Sequence, residues 1–137
     1  MNKTGKIKIL SNAAGAIETP LCMERTGVGG YYRAHYTEVA QGMEGSHTLI
    51  EVDLSDPHTP KMLMTRRGAV ESEQSFILGT STKGYYQVVS GNLAFDIETR
   101  RLRAKTDSRS LWIELEATFT FSQVEKIPFT AQIELTW

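Results

Sequence analysis

One cysteine, four prolines and three histidines in 137 residues leave several chemistries without their residues. With Cys22 alone there is no intramolecular disulfide and no cysteine cluster of the kind that holds structural zinc, so a reducing cytoplasm is the expected setting. Cys22 itself reads as a small, semi-buried residue, because only Arg25 stands near enough in sequence to depress its pKa. His35, His47 and His58 fall on three different segments without the short spacing that builds a metal site on one element, and read as surface or loop residues. No window approaches the roughly 18 apolar residues of a membrane span, and the N-terminus MNKTGKIKIL lacks the apolar run of a signal peptide. A soluble, cytoplasmic protein with no membrane partner is the expectation. Charge of one sign is also missing: 15 basic and 16 acidic side chains nearly cancel, which removes the positive field of a dedicated nucleic-acid binder.

Catalytic and nucleotide motifs are missing too. Gly27-Val28-Gly29-Gly30 has the glycines of a nucleotide loop, but Tyr32 stands where the dinucleotide fingerprint needs glycine and no helix follows, so a tight hairpin explains it. Thr80 and Ser81 carry hydroxyls without a nucleophile elbow or an identifiable histidine and carboxylate partner. No cofactor is implied, and an enzyme is the least favoured class.

What is present is β alternation. Residues 1–137 make one domain, long enough to bury about two-thirds of the unfolded chain's surface without a covalent staple. The chain is organised around Lys61 to Gly91, where Met62 to Thr65, Ser75 to Leu78 and Tyr85 to Val89 have strand length and are bounded by Gly68, Gly79, Gly84 and Gly91. Before it, Ile7 and Ile9 alternate with Lys6 and Lys8. Ile17 to Thr26 reads as a strand in which Pro20 belongs at an edge, a bulge or the strand's start. Tyr32, Ala34, Tyr36 and Glu38 then share one face, and so do Ile50, Val52 and Leu54. After the central stretch Leu93, Phe95 and Ile97 face one side. Beyond Arg100 and Arg101 the apolar residues are Leu102 and Ala104, a slip from odd to even that a one-residue β-bulge produces. Two long strands follow, with Leu111 to Phe121 and Ile127 to Trp137 alternating inward. No amphipathic helix is found. About eight to ten strands at hairpin spacing predict an all-β, single up-and-down antiparallel barrel, closure being favoured because it removes exposed edges.

Arg66-x-Gly68-Ala69-Val70, Phe76-x-x-Gly79-x-Ser81-Thr82, Tyr86 and Gly91-x-Leu93, with Thr26-Gly27 and Tyr36-x-Glu38 before them, stand in an order that resembles the YwiB-like family of small bacterial proteins of unknown function. The resemblance runs over most of the chain and implies a calycin-like (lipocalin-like) β-barrel. It implies no activity. Two departures are visible: the Gly27 to Tyr31 segment is shorter than the family's hairpin, so the second and third strands could pair differently, and the Lys105 to Arg109 turn is abbreviated.

The arginines are the best lead to a site. Arg66 shares a face with Met62 and Met64, and a calycin-type barrel commonly directs one such arginine inward, where it can grip a ligand carboxylate. An inward Glu38 would instead neutralise Arg66 in a structural ion pair, with the Tyr36 and Tyr86 hydroxyls as neighbours. Arg66, Glu38, Tyr36, Tyr86 and Phe76 are therefore the candidate ligand-binding residues. Arg100, Arg101, Arg103, Lys105 and Arg109 form a second basic group that reads as a solvated edge in preference to an RNA site.

The first functional expectation is a non-enzymatic barrel binding a small apolar or amphiphilic molecule, anionic ones included. The alternative is an interaction or scaffold protein with a packed barrel that meets a protein or RNA partner on its outer face. A connected interior void of about 300 Å³ or more favours the first, whereas a packed interior would end it. A homodimer is also expected, because Tyr85 and Val89 on one face and Tyr86 and Val88 on the other make both faces of one strand apolar or aromatic.

Overall fold

Alternation in sequence becomes alternation in burial. In His47–Asp53 the even residues Thr48, Ile50 and Val52 are buried, while Leu49, Glu51 and Asp53 keep partial contact with solvent. The computed structural model describes residues 2–137 as ten strands: β1 Lys3–Ser11, β2 Gly15–Thr26, β3 Tyr31–Thr37, β4 His47–Asp53, β5 Lys61–Arg67, β6 Glu71–Ile77, β7 Ser81–Val88, β8 Gly91–Asp107, β9 Ser110–Phe121 and β10 Glu125–Thr136. Each pairs antiparallel with its sequence neighbours, and β1 pairs with β10, so the sheet closes into an up-and-down barrel. Among the described residues the one helical piece is a 3-10 turn, Val28–Gly30.

The odd-to-even slip is a bulge. The register of β8 against β9 shifts between Thr99 and Arg101, which leaves Arg100 without a cross-strand partner and turns both Ile97 and Leu102 into the core. Pro20 is accommodated in a different way from a bulge of its own. It lies inside β2 opposite Lys6 of β1, but the ladder of β2 with β3 begins only at Cys22, so the missing donor falls on a stretch with one neighbour. That short ladder carries its own register shift between Met23 and Arg25, so the second and third strands do pair irregularly.

The central strands begin earlier than the sequence suggests. β6 starts at Glu71 and β7 at Ser81, because polar residues of Glu71-Ser72-Glu73-Gln74 still alternate, with Ser72 and Gln74 buried. The ladder between them covers only Glu71–Glu73 against Tyr85–Gln87, although Thr82 Oγ1 donates to the Ser75 carbonyl at 2.5 Å.

Aromatic rings fill the middle of the barrel. Phe119 lies 5.2 Å from Phe95 and 5.1 Å from Phe129, and the fully buried Phe76 lies 6.3 Å from both Phe119 and Phe129, centroid to centroid. Tyr32 and Trp137, 6.2 Å apart, pack together toward the opposite end from the β1–β2 turn. Gly5 marks a close approach of strands there: a Cβ on it would sit 2.0 Å from the Thr136 carbonyl oxygen, which is backbone and cannot rotate away. Gly5→Ala is expected to cost about 1 to 3 kcal/mol by overpacking, measured by urea denaturation. A change below a few tenths of a kcal/mol would contradict this closeness.

In an antiparallel meander alternate connections share one end. The β1–β2, β3–β4, β5–β6, β7–β8 and β9–β10 turns therefore ring one mouth of the barrel.

Candidate functional site

Strand register sets a polar row just inside that mouth. Tyr36 of β3 is opposite Thr48 of β4, Thr48 is opposite Arg66 of β5, Arg66 is opposite Ser72 of β6, and Ser72 is opposite Tyr86 of β7. All five lie on the inward phase of their strands, so a single layer of the interior is lined by hydroxyls and one guanidinium. One layer deeper the row reads Ala34, Ile50, Met64 and Gln74, already mostly apolar.

Glu38 enters this row from the β3–β4 loop. The loop is held by its own backbone: Glu38 N–H donates to the Ser46 carbonyl at 2.7 Å and Gly45 N–H to the Glu38 carbonyl at 3.1 Å, which fixes the carboxylate over the interior. There Oε2 accepts from Thr48 Oγ1 at 2.8 Å and from Arg66 Nε at 3.2 Å. The Arg66 and Glu38 side chains keep only 10% and 1% of their surface in contact with solvent. The expected burial of Arg66 against Glu38 is thus present, as a one-oxygen contact rather than a two-toothed fork.

The pair does not satisfy everything around it. Arg66 Nη1 reaches Ser72 Oγ at 3.4 Å, so the described hydrogen bonds use two of the five guanidinium donors. Burial works against the Arg66 charge, but Tyr86, Tyr36 and Glu38 outweigh it and hold the guanidinium above its ordinary pKa. Tyr36 is 4% exposed, and its hydroxyl faces Thr48 and Glu38 without hydrogen-bonding geometry to either. Burial, reinforced by the Glu38 charge, pushes this phenol well up, so it stays protonated and remains a donor. The Tyr86 hydroxyl is taken by Gln74 Nε2 at 2.6 Å. Phe76 is not brought to this site; it lies deeper, in the aromatic stack.

Beside these groups is a cavity of about 70 Å³, bounded by Tyr36, Glu38, Arg66, Gln74 and Tyr86 on the polar side and by apolar residues such as Met64 and Phe129 on the other. It holds a few waters or one polar head group and falls well short of the roughly 300 Å³ at which pockets enclosing whole small molecules begin, so the expectation of a ligand enclosed in the barrel interior is not met. A larger groove of about 440 Å³ runs outside β1, β2 and β10 past Lys8, Glu18, Trp112 and Glu134, but it is open to solvent and contains no buried polar group.

Above the cavity the inward phase continues past the packed core. Val88, Leu93 and Ile127 share the phase of Tyr86, Phe95 and Phe129 yet are 41%, 47% and 42% exposed, because the β7–β8 and β9–β10 hairpins overhang the mouth. Val89 and Val124 at the two tips are exposed as well. This apolar rim and the contribution of Gln74, Ser72 and Thr48 are not apparent from residue types alone. The signal for the last three was register, since each shares its strand's inward phase.

The other leads lie elsewhere. Arg101 on the outer face is tied to Glu114 at 3.1 Å and Glu116 at 3.6 Å across β9, and Arg100 to the Thr118 hydroxyl. His35 Nε2 stands 3.4 Å from Glu24 on the outside, and His47 and His58 are exposed. Among the described residues no group of His, Cys, Asp and Glu is arranged to hold a metal ion, and no helix is long and apolar enough to cross a membrane.

The same barrel occurs in the crystal structure of the ywiB protein from Bacillus subtilis, which superposes with a TM-score of 0.71 at 17% identity, over 98% of this chain and 90% of that one. At that identity the likeness concerns the fold. None of the curated proteins matches the chain. A family model described as a domain of unknown function, DUF1934, matches residues 23–135, a span that takes in β3 to β9, the polar row and nearly all of β10, and this protein belongs to that family.

Proposed function

We propose that the protein is a non-enzymatic, calycin-like binding barrel that takes the polar head of a small amphiphilic molecule into the Arg66 pocket and lays the rest across the mouth. The observation that carries this reading is the coincidence, at one end of the barrel, of the buried, unbonded Tyr36 hydroxyl and the N–H groups of Arg66 beyond Glu38 and Ser72 with an exposed apolar rim of Val88, Leu93 and Ile127. Buried donors left without acceptors are costly, and an apolar rim beside them supplies the contact area a short chain needs. The cavity volume excludes a wholly enclosed ligand of drug size in this conformation and limits what enters to the head.

Native mass spectrometry of protein purified from its own cells tests this. The expected result is an adduct that is released on denaturation and is lost in an Arg66→Ala protein that still folds. A bare polypeptide mass in both proteins overturns it.

A second reading, a packed barrel that acts through its outer face, is favoured by the filled interior around Phe76, Phe95, Phe119 and Phe129. RNA is the less favoured partner for that face, because the chain carries 15 basic against 16 acidic side chains and Arg101 is paired with two glutamates.

A further inference from the structure

We infer that the head group this pocket accepts is an uncharged hydrogen-bond acceptor, such as the carbonyl of an amide, ester or ketone, and not a carboxylate. The inference rests on the binding reading above and narrows it.

Unused donors stand on two sides of the cavity. Tyr36 offers a phenolic O–H that makes no hydrogen bond, although Thr48 and Glu38 stand beside it, and Arg66 offers the N–H groups beyond those on Glu38 and Ser72. Gln74 Nε2 donates to the Tyr86 oxygen at 2.6 Å, which leaves the Tyr86 O–H as a further donor beside the cavity. A carbonyl oxygen, with two lone pairs and no proton of its own, completes Tyr36 and Arg66 together.

Charge decides between a neutral acceptor and an anion. A lone buried guanidinium would favour a carboxylate, but Arg66 is already neutralised by Glu38 Oε2 at 3.2 Å. A carboxylate head would place a second anion beside Glu38, whose side chain is 1% exposed, where water screens little. A cationic head would meet Arg66 with the same objection. Only the neutral head leaves the pair undisturbed while satisfying the idle donors. The cavity of about 70 Å³ admits such a head and little of its chain, which then follows Tyr86 and Phe129 toward Leu93 and Ile127.

Isothermal titration calorimetry of the full chain with N,N-dimethyldecanamide, decanoate and decyltrimethylammonium, each below its micelle concentration in mildly alkaline buffer, tests the assignment. The amide is expected to bind at least about tenfold more tightly than either ion. Tyr36→Phe, which removes the idle donor and little else, is expected to weaken the amide by about tenfold. Glu38→Gln removes the resident anion and is expected to reverse the order in favour of decanoate. Decanoate binding as tightly as the amide to the wild-type protein would overturn the head-group assignment and leave the binding reading standing. Failure of all three to bind would overturn both. If Glu38→Gln does not fold, as judged by circular dichroism, the wild-type ranking and Tyr36→Phe decide by themselves.

Discussion

Arg66→Ala is expected to destabilise the barrel by about 3 to 5 kcal/mol in urea denaturation. The size comes from what remains. Removing the guanidinium leaves Glu38, with a side chain 1% exposed, holding one hydrogen bond from Thr48 and no counter-charge. The gain from the pair itself is small, because two desolvation penalties offset most of the attraction; the cost lies in orphaning one member. The double variant Arg66→Ala/Glu38→Ala should therefore lose markedly less than the sum of the two single variants. Additive losses, or a cost below about 1 kcal/mol for the single change, would mean that water reaches Glu38 through the mouth and replaces Arg66.

Phe76→Ala is expected to cost about 3 to 5 kcal/mol, the range for deleting a fully buried ring whose surroundings relax only in part. Phe76 has no exposure, stands opposite Met62 in the ladder, and touches both rings of the Phe119–Phe129 pair, so that the three rings tie β6, β9 and β10 together from inside. Because Phe129 also walls the mouth cavity, the void left by Phe76 adjoins that cavity. The variant should consequently bind small apolar probes that the wild type refuses, seen as a rise in melting temperature with added probe. A loss below about 1.5 kcal/mol, with no probe effect, would show that β6 and β10 collapse into the gap.

Much of the barrel is legible from period-2 alternation, and the reasons it stops being legible are specific. The slip between Ile97 and Leu102 survives in sequence because residues on both sides of Arg100 are strongly apolar in opposite phase. The pairing of Arg66 with Glu38 is legible because both fall on inward phases otherwise occupied by Met62, Met64, Tyr32 and Ala34. By contrast, Ser72 and Gln74 are buried among glutamates, and a run that is polar on both faces hides its phase, which is why the start of β6 is displaced. Leu93 and Ile127 have the inward phase but not the depth: phase tells which face a side chain takes, and only the relative lengths of neighbouring hairpins tell whether anything covers it. Cavity volume is further still from the sequence, since it depends on how the rings of Phe76, Phe119 and Phe129 tilt against one another at 18° to 34°. The unusual setting of Pro20 arises from the shortness of the β2–β3 ladder, a pairing decided by a strand downstream.

Closure by β1 against β10 has a consequence for synthesis. Ile7 meets Leu135 and Ile9 meets Ile133, partners separated by nearly the whole sequence, so the seam cannot form until the last strand has left the ribosome. At translation speeds of roughly 5 to 20 residues per second, β1 waits on the order of ten seconds with one row of amides and carbonyls unmatched. During that interval it is an edge strand open to any other nascent chain. Lys6 is paired with Glu18 of β2 at 2.9 Å, but Lys8, exposed on the same outer face, keeps a positive charge on that waiting edge, which disfavours its pairing with neighbouring copies.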